Sequence, residues 1–154
     1  MNKKVEEILR QLSTSNRWKI EIECIQHGNV TVFEHSVNVA EISIAFAEKL
    51  PITVNEESLI KGALLHDYFL YDWHNKEQSP GLHGFKHPYI ALKNAEEDYD
   101  LNDIEKNIIL RHMFPLVPIP PRYKEAWIVC FADKYCAFGE TVSGWLKKVL
   151  PIGA

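Results

Sequence analysis

The segment GALLHDYFLYDWH, from Gly62 to His74, places a histidine directly before an aspartate at the end of a run of small apolar residues. An imidazole and a carboxylate are both costly to bury unless each has a partner. Metal ions would be such a partner, because the two oxygens of Asp67 can bridge two ions about 3.5–4 Å apart while His66 binds one of them. The pair therefore predicts a metal site to which further ligands must come from elsewhere in the chain.

Other histidines and acids lie on the apolar faces of predicted helices, at the spacing of an inward-facing stripe. His35, for example, shares one face with Val39, Ile42 and Phe46. A single histidine in such a place is most often a hydrogen-bonded core residue. Five predicted helices that each aim a histidine or an acid inward are better explained by one shared metal cluster. These five faces carry His35, His66, His87, His112 and Asp133.

The types of these side chains limit the metal and the chemistry. Imidazole and carboxylate without thiolate form a ligand set suited to iron, manganese, zinc or magnesium. Two such ions would make the pocket locally cationic although the chain is acidic, and an anionic substrate is then favoured. A water on such ions loses its proton near neutral pH and becomes a nucleophile. The residues alone therefore predict a metal-activated water or oxygen that acts on an anionic substrate.

The order of the candidate ligands resembles that of the HD-domain superfamily of metal-dependent phosphohydrolases. The resemblance spans about residues 31–138, and the segment HPYIALKNA (87–95) is similar to the start of a helix in the dinuclear branch of that superfamily. The family's core pattern of His, His-Asp and Asp, together with two more histidines, is matched in this order by His35, His66, Asp67, His87, His112 and Asp133.

The resemblance implies two divalent metal ions, with iron or manganese favoured over zinc or magnesium. It implies four ligands for the first ion: His35, His66, Asp67 and Asp133. It implies three ligands for the second ion, with the aspartate shared: Asp67, His87 and His112. His66 and Asp67 would be the catalytic pair. Some dinuclear members have a lysine shortly after the His-Asp pair, whereas this chain has Asp72 in that region.

The function that the resemblance implies is hydrolysis of a phosphate ester, in a nucleotide or another small phosphorylated metabolite. Two alternatives stay open. Some relatives with the same six ligands hold a mixed-valence di-iron centre and cleave their substrate with oxygen, and the ligands do not separate the two reactions. A non-catalytic nucleotide-binding regulatory domain is the other alternative, but it would be expected to lack ligands. An intact open metal site favours an enzyme.

Several residues outside the ligand set are candidates for substrate binding: His83, Lys86, Arg122, Lys134 and Asp72. Asp72 is also a candidate general acid, or an acceptor for a ligand histidine. His27 and His74 have no supporting pattern and are predicted to be exposed. Trp73 and Tyr68, which are close to the His-Asp pair, are candidates for stacking on a base.

Helical periodicity dominates the chain, and alternating runs of useful strand length are missing. We therefore predict an all-α fold, a compact HD-type helical bundle that forms a single domain over residues 1–154. Thr31 and Asn55 are expected at helix starts, and Pro51 is expected to end the third helix. The predicted helices cover 2–13, 17–27, 31–50, 56–66, a segment that opens near His87–Pro88, 102–113, 121–138 and 139–149.

Composition narrows the class of protein. The chain has 154 residues, of which 46% are hydrophobic and 25% are charged, as in ordinary soluble globular proteins. A net charge of −4 argues against a nucleic-acid polymer or a membrane surface as partner. No stretch resembles a signal peptide or a membrane span. The three cysteines form no Cys-x-x-Cys pair, which is typical of a reduced, cytoplasmic protein. The oligomeric state is left open.

Overall fold

The computed structural model describes residues 1–27, 29–75, 77 and 81–149, with side chains as far as residue 145. The predicted all-α class is confirmed, because the described part consists of seven helices and one short antiparallel hairpin. The strands are β1 (Ile25–His27) and β2 (Val30–Thr31). The helices are α1 (Lys3–Leu12), α2 (Trp18–Glu23), α3 (Val32–Lys49), α4 (Glu56–Leu65), α5 (His83–Asp98), α6 (Asp103–Arg111) and α7 (Lys124–Val149).

Side-chain caps fix the starts of four helices, that of α1 through Asn2, whose side chain accepts from the amide of Lys4. Thr31 Oγ1 accepts a hydrogen bond from the amide of Glu34 at 3.1 Å, and the Glu34 carboxylate accepts one from the amide of Thr31 at 2.9 Å, so that a capping box begins α3. Asn55 begins α4, as predicted, by accepting a bond from the amide of Ser58 at 3.0 Å. Asn102 begins α6 with a second capping box. These bonds satisfy amides that have no partner within the helix.

The helices α3 and α4 lie at the centre of the bundle. α3 packs against α4 and α7, α4 packs against α6, and α6 also packs against α5 and α7. Fully buried apolar side chains fill these contacts, among them Val39, Leu59, Ile108 and Val129. Burial of such side chains is the dominant favourable contribution to folding. The same inner faces carry the candidate ligands.

The predicted helix over 17–27 is too long, because α2 ends at Glu23 and Ile25–His27 forms β1. Gly28 and Asn29 follow in the sequence, and such a pair between two short runs that contain β-branched residues (Ile25, and Val30 with Thr31) is typical of a tight hairpin. The signal is weak because each strand has only two or three residues. The hairpin matters for the site, since it carries Gln26 and His27.

Two other predicted helix boundaries are also wrong. α5 begins at His83, about one turn before the predicted start, after Leu82 in the left-handed conformation (φ 49°). The predicted break between 138 and 139 is absent, and Lys124–Val149 is one helix that continues through Gly139. An isolated glycine costs a helix only about 1 kcal/mol relative to alanine, so it weakens a helix without ending it.

None of the described helices combines the length and the hydropathy that are needed to cross a bilayer. The assignment of residues 1–154 to a single domain stays a prediction, and residues 150–154 lie outside the described ranges.

Gly62 allows α4 to approach α6 closely. A β-carbon at this position would lie 2.5 Å from Cδ1 and 3.0 Å from Cβ of Ile108. We therefore expect Gly62→Ala to lower the free energy of unfolding by about 1–3 kcal/mol, as overpacking typically does. Denaturation in urea would measure the change. Because Ile108→Val removes the δ-methyl group, the double variant should recover part of the loss, and strictly additive losses would contradict the close contact.

Candidate metal centre

The six predicted ligands converge in the interior, although they come from five different parts of the fold. His35 is in the first turns of α3, His66 and Asp67 follow the end of α4, and the others come from α5, the end of α6 and the middle of α7. Their ligand atoms form three overlapping groups in which all atoms lie within 4.8 Å of one another. All six side chains are buried: His35, His66, Asp67, His87, His112 and Asp133.

Asp67 lies at the centre of this cluster. Its Oδ1 is 3.2 Å from Nε2 of His87 and 3.5 Å from Nε2 of His112. Its Oδ2 is 3.4 Å from Nε2 of His66 and 4.0 Å from Nε2 of His35. Each carboxylate oxygen therefore faces a different pair of imidazoles. This is the arrangement by which one aspartate can be shared between two neighbouring cations.

Three of the imidazoles are oriented by carbonyl groups of their own helices. Nδ1 of His66 is 2.7 Å from the Ala63 carbonyl oxygen, and Nδ1 of His112 is 2.8 Å from that of Ile109. Nδ1 of His87 likewise lies 2.9 Å from a carbonyl oxygen one turn earlier in α5. A carbonyl oxygen can only accept, so each Nδ1 must carry the proton. In the neutral ring, Nε2 is then a bare lone pair directed into the cluster.

The fourth imidazole, that of His35, is oriented by a carboxylate. Its Nδ1 donates to Glu140 Oε2 at 2.8 Å, and the other oxygen of Glu140 accepts from Asn38 Nδ2 at 3.1 Å. Nε2 of His35 faces Oδ1 of Asp133 at 3.1 Å. Glu140 was not among the predicted site residues. It lies seven residues after Asp133 on α7, and this spacing places both on one face of a continuous helix.

Apart from His35, the cluster is thus a set of acceptors that face one another. Nε2 of His87 and Nε2 of His112 are only 2.8 Å apart, although both rings have their Nδ1 proton on a carbonyl. Nε2 of His66 and Oδ1 of Asp67 are buried without a hydrogen bond. Lone pairs at such distances repel unless a cation lies between them. The residues therefore fit divalent metal ions, both in donor type and in orientation.

The pKa values of the ionisable groups follow from burial and from the charged neighbours that each group faces in the cluster. Burial disfavours the charged form of His35, but its two carboxylate partners outweigh this and raise its pKa to about 10. Burial and the neighbouring imidazoles lower the pKa of His112 to about 3. Burial also opposes ionisation of Asp67, yet the surrounding histidines hold its pKa well below the usual range. The carboxylate is thus anionic, as metal ligation requires.

Gln26 contacts the cluster from β1 and was missed by the sequence analysis. Its side-chain amide donates to Oδ2 of Asp67, and its own oxygen accepts from the indole N–H of Trp73 at 3.2 Å. Gln26 is 5% exposed. The indole fixes which end of the amide is the donor, and the amide in turn orients the carboxylate. The segment that holds Gln26 was predicted to be helical, so no sequence pattern indicated that this side chain faces the interior.

A cavity of about 280 Å³ lies over one side of the cluster. Asp67, His87, His112 and Asp133 contribute to it, and its outer walls include Trp73, Met113, Pro115 and Leu116. His27 also lines it, with a ring 5.3 Å from that of His35, so the prediction that His27 is exposed is wrong. The hairpin turns His27 toward α3, which a helix over 17–27 would not do.

Two of the predicted substrate-binding residues, His83 and Lys134, line this cavity. The His83 ring stacks on His87 at 4.5 Å and on Trp73 at 4.9 Å. Its Nδ1 lies 2.8 Å from the hydroxyl of Tyr71. Burial and the neighbouring His87 lower the pKa of His83 to about 4, so that it is neutral near pH 7. Nζ of Lys134 donates to the backbone oxygen of His112 at 2.8 Å.

The other three predicted substrate-binding residues are not among the described residues that line the cavity. Arg122 is exposed, and its guanidinium lies 5.6 Å from the centre of the Tyr123 ring. Lys86 is exposed on α5, about 100° around the helix from His87. Asp72 Oδ1 accepts from the amide of His74 at 3.0 Å and is directed toward that exposed residue. Their roles in substrate binding stay predictions.

Tyr68 cannot stack on a base as the sequence suggested. It is fully buried, and its hydroxyl donates to Asp98 at 2.8 Å, at the opposite end of α5 from His83 and His87, which line the cavity. Trp73, by contrast, lines the cavity with its ring.

Comparison with known proteins agrees with this geometry. A sequence model of the HD domain matches residues 32–137, which is more than half of the chain, and the chain therefore belongs to the HD domain family. The dihydroneopterin 2',3'-cyclic phosphate phosphodiesterase of Methanocaldococcus jannaschii is similar to it, with 31% identity over 113 residues. The alignment covers 67% of this chain but 45% of that relative, so the chain spans less than half of the relative's length. No solved structure gives a significant match.

We expect Glu140 to support metal binding through His35. Glu140→Ala removes the acceptor of the Nδ1 proton, and the affinity for Mn²⁺ or Zn²⁺ should fall by about 10–100-fold, as is typical when the partner of a ligand histidine is lost. Glu140→Gln keeps an acceptor oxygen toward His35, and the Asn38 amide can turn to match it, so a smaller loss is expected. Calorimetric titration of metal-free protein would measure both affinities.

The control for this experiment is Glu48→Ala, which removes an exposed acid from α3. Its metal affinity should equal that of the wild type, as should the helical content of all three variants by circular dichroism. An unchanged affinity in Glu140→Ala would contradict the role of Glu140 in holding the ring.

Proposed function

We propose that this chain is a metal-dependent phosphohydrolase that cleaves the phosphate ester of a small metabolite. The observation that carries the proposal is the convergence of four imidazole Nε2 atoms and two carboxylates beneath an accessible cavity. Such a pocket favours the binding of metal cations, and the bound cations in turn favour an anionic substrate. Membership of the HD domain family supports the same reaction, as does the similarity to a protein named as a phosphodiesterase.

The proposed centre holds two divalent ions, with iron or manganese favoured and zinc or magnesium as the other candidates. This assignment is supported by the position of Asp67, whose two oxygens face different pairs of imidazoles. When bound, such ions supply a water that loses its proton near neutral pH and positive charge that polarises a phosphoryl group. One ion is assigned to His35, His66, Asp67 and Asp133, and the other to Asp67, His87 and His112.

The chain's own groups position the substrate and the ligands. Gln26 and Trp73 hold the Asp67 carboxylate in one orientation. His83 is neutral near pH 7, and when the Tyr71 hydroxyl donates to Nδ1 the ring proton is on Nε2. We assign to this Nε2–H a hydrogen bond to a phosphate oxygen. His83 then binds the substrate without titrating near neutral pH.

The cavity walls favour a substrate with one phosphate group on a compact organic body. Lys134 is the only lysine or arginine among the described lining residues, and its ammonium group already donates to a backbone oxygen. A substrate with several linked phosphate groups would therefore meet little positive charge beyond that of the metal ions. Trp73, Met113 and Leu116 offer apolar and aromatic surface to the organic part. We propose phosphomonoesters and cyclic phosphodiesters of nucleotide size, and 2',3'-cyclic phosphates should be tested first.

Asp67→Ala tests the proposal most directly. The substitution removes a ligand from both ions and leaves their charge less compensated, so the bound metal should fall. Turnover should drop by more than about 100-fold. This exceeds the 10–100-fold loss that is typical when a residue that only hydrogen-bonds to a metal ligand is removed. Metal analysis would be combined with phosphate release, or ring opening, on 2',3'-cyclic nucleotides, nucleoside monophosphates and p-nitrophenyl phosphate with added Mn²⁺ or Fe²⁺.

Asp100→Ala, which removes an exposed acid from the loop before α6, is the matched control and should keep full activity. Retention of both ions and full turnover in Asp67→Ala would refute the shared-ligand role. Oxygen consumption by reduced, iron-loaded protein without hydrolysis of any tested ester would indicate that the protein is an oxygenase and not a hydrolase. Tight nucleotide binding with no turnover would indicate a regulatory domain instead.

A further inference from the structure

A row of large apolar side chains runs along the outer face of α7. At 100° per residue these positions fall within an arc of about 80°, on the side of the helix away from the buried residues Asp133 and Cys136. We name this row the α7 stripe. It consists of Phe131, Tyr135, Phe138, Val142 and Trp145, which are 59%, 63%, 74%, 37% and 60% exposed.

The spacing of the α7 stripe is that of a helix–helix seam. Successive members are separated by four, three, four and three residues, the heptad pattern by which one helix packs along another. Phe138 is the central member of the stripe, with Phe131 and Tyr135 before it and Val142 and Trp145 after it. A surface of this kind can contact its own copy across a two-fold axis, the commonest symmetry of soluble oligomers. We propose that the α7 stripe is the interface of a homodimer, with the two copies of Phe138 close to the axis.

The stripe is large enough for such an interface. A buried aromatic side chain covers about 150–250 Å², so four that are roughly 60% exposed, together with a valine, offer on the order of 450 Å² per protomer. Phe46, Leu50 and Ile52 continue the apolar surface beside Phe131 around a shallow groove. With these residues the total for two copies exceeds the roughly 1,000 Å² that a specific interface should bury.

The far end of α7 also needs a partner for its own stability. Of the residues from 141 to 145, only Gly144 is buried within the described chain, yet the segment is helical. Isolated helical segments of a few turns are marginal in water, and most helical stability comes from packing of an apolar face. A second α7 packed on the stripe would supply that contact.

Charge favours a second copy over a membrane surface. Helices that lie in a membrane interface are rich in lysine and arginine on their polar face. In α7 as a whole, four lysines are nearly balanced by three acids: Lys124, Lys134, Lys147 and Lys148 against Glu125, Asp133 and Glu140. The stripe itself carries no charge, so two copies can approach without repulsion along the seam. This inference does not depend on the proposed enzymatic function.

The test is the oligomeric state of the full chain in solution. Sedimentation equilibrium should give twice the monomer mass of 17.8 kDa at micromolar concentration. Phe138→Glu places a charge at the axis on both copies and should weaken dimerisation at least about 30-fold, the size of an interface hot spot. The substitution leaves the monomer fold intact, because Phe138 is 74% exposed. Circular dichroism would check this.

Tyr89→Glu is the matched control, since it makes the same kind of change at an aromatic residue on α5 that is 51% exposed, and it should remain dimeric. In a second experiment, Phe138→Cys should be cross-linked to its copy by a short bis-maleimide, whereas Tyr89→Cys should not. A monomeric wild type would overturn the proposal. Dimerisation that persists in Phe138→Glu, or assembly beyond a dimer, would overturn it as well.

Discussion

The constraint on which the structure depends is that four imidazole Nε2 atoms and two carboxylates must face one another in the interior. Such an arrangement requires that the Nδ1 proton of each ring be accepted by a group outside the cluster. The ends of α4 and α6 provide this, because the last carbonyl groups of a helix have no amide partner within it. His66 and His112 each stand directly after such an end and donate to one of these carbonyls. One hydrogen bond thus satisfies a helix terminus and directs a lone pair inward.

Close packing of the helices converts these orientations into a single cluster. Because Gly62 lets α4 approach α6, the two histidines that follow these helices have ring centres only 4.9 Å apart. The Asp67 carboxylate then lies between two pairs of imidazoles, those of His35 and His66 and those of His87 and His112. The apolar faces of the same helices supply the burial that offsets the cost of these polar groups. The acceptors are therefore held together by contacts that do not themselves involve the cluster.

The sequence predicted the part of the site that depends on helical periodicity. His35, His112 and Asp133 share faces with apolar residues, so their inward direction followed from a period of 3.6 residues. The site residues that the sequence analysis missed are those whose position depends on where a helix begins or ends. A predicted break near Gly139 separated Glu140 from Asp133, and a predicted helix over 17–27 concealed the hairpin that carries Gln26. Neither boundary is set by local sequence alone, because an isolated glycine is tolerated in a helix and a two-residue strand is fixed only by its tertiary partners.

The continuity of α7 links the interior of the protein to its surface. Asp133 and Glu140 lie two turns apart on its inner face, and Glu140 can hold His35 only if the helix remains intact through Gly139. Gly139 is one of two glycines that weaken α7, the other being Gly144, and beyond Gly139 the chain offers little packing of its own. In the proposed dimer, the α7 stripe would pack on both sides of this point, at Tyr135 and Phe138 before it and at Val142 after it. Association would then stabilise the same stretch of helix that orients a metal ligand, so that an outer apolar face would support the geometry of an inner polar one.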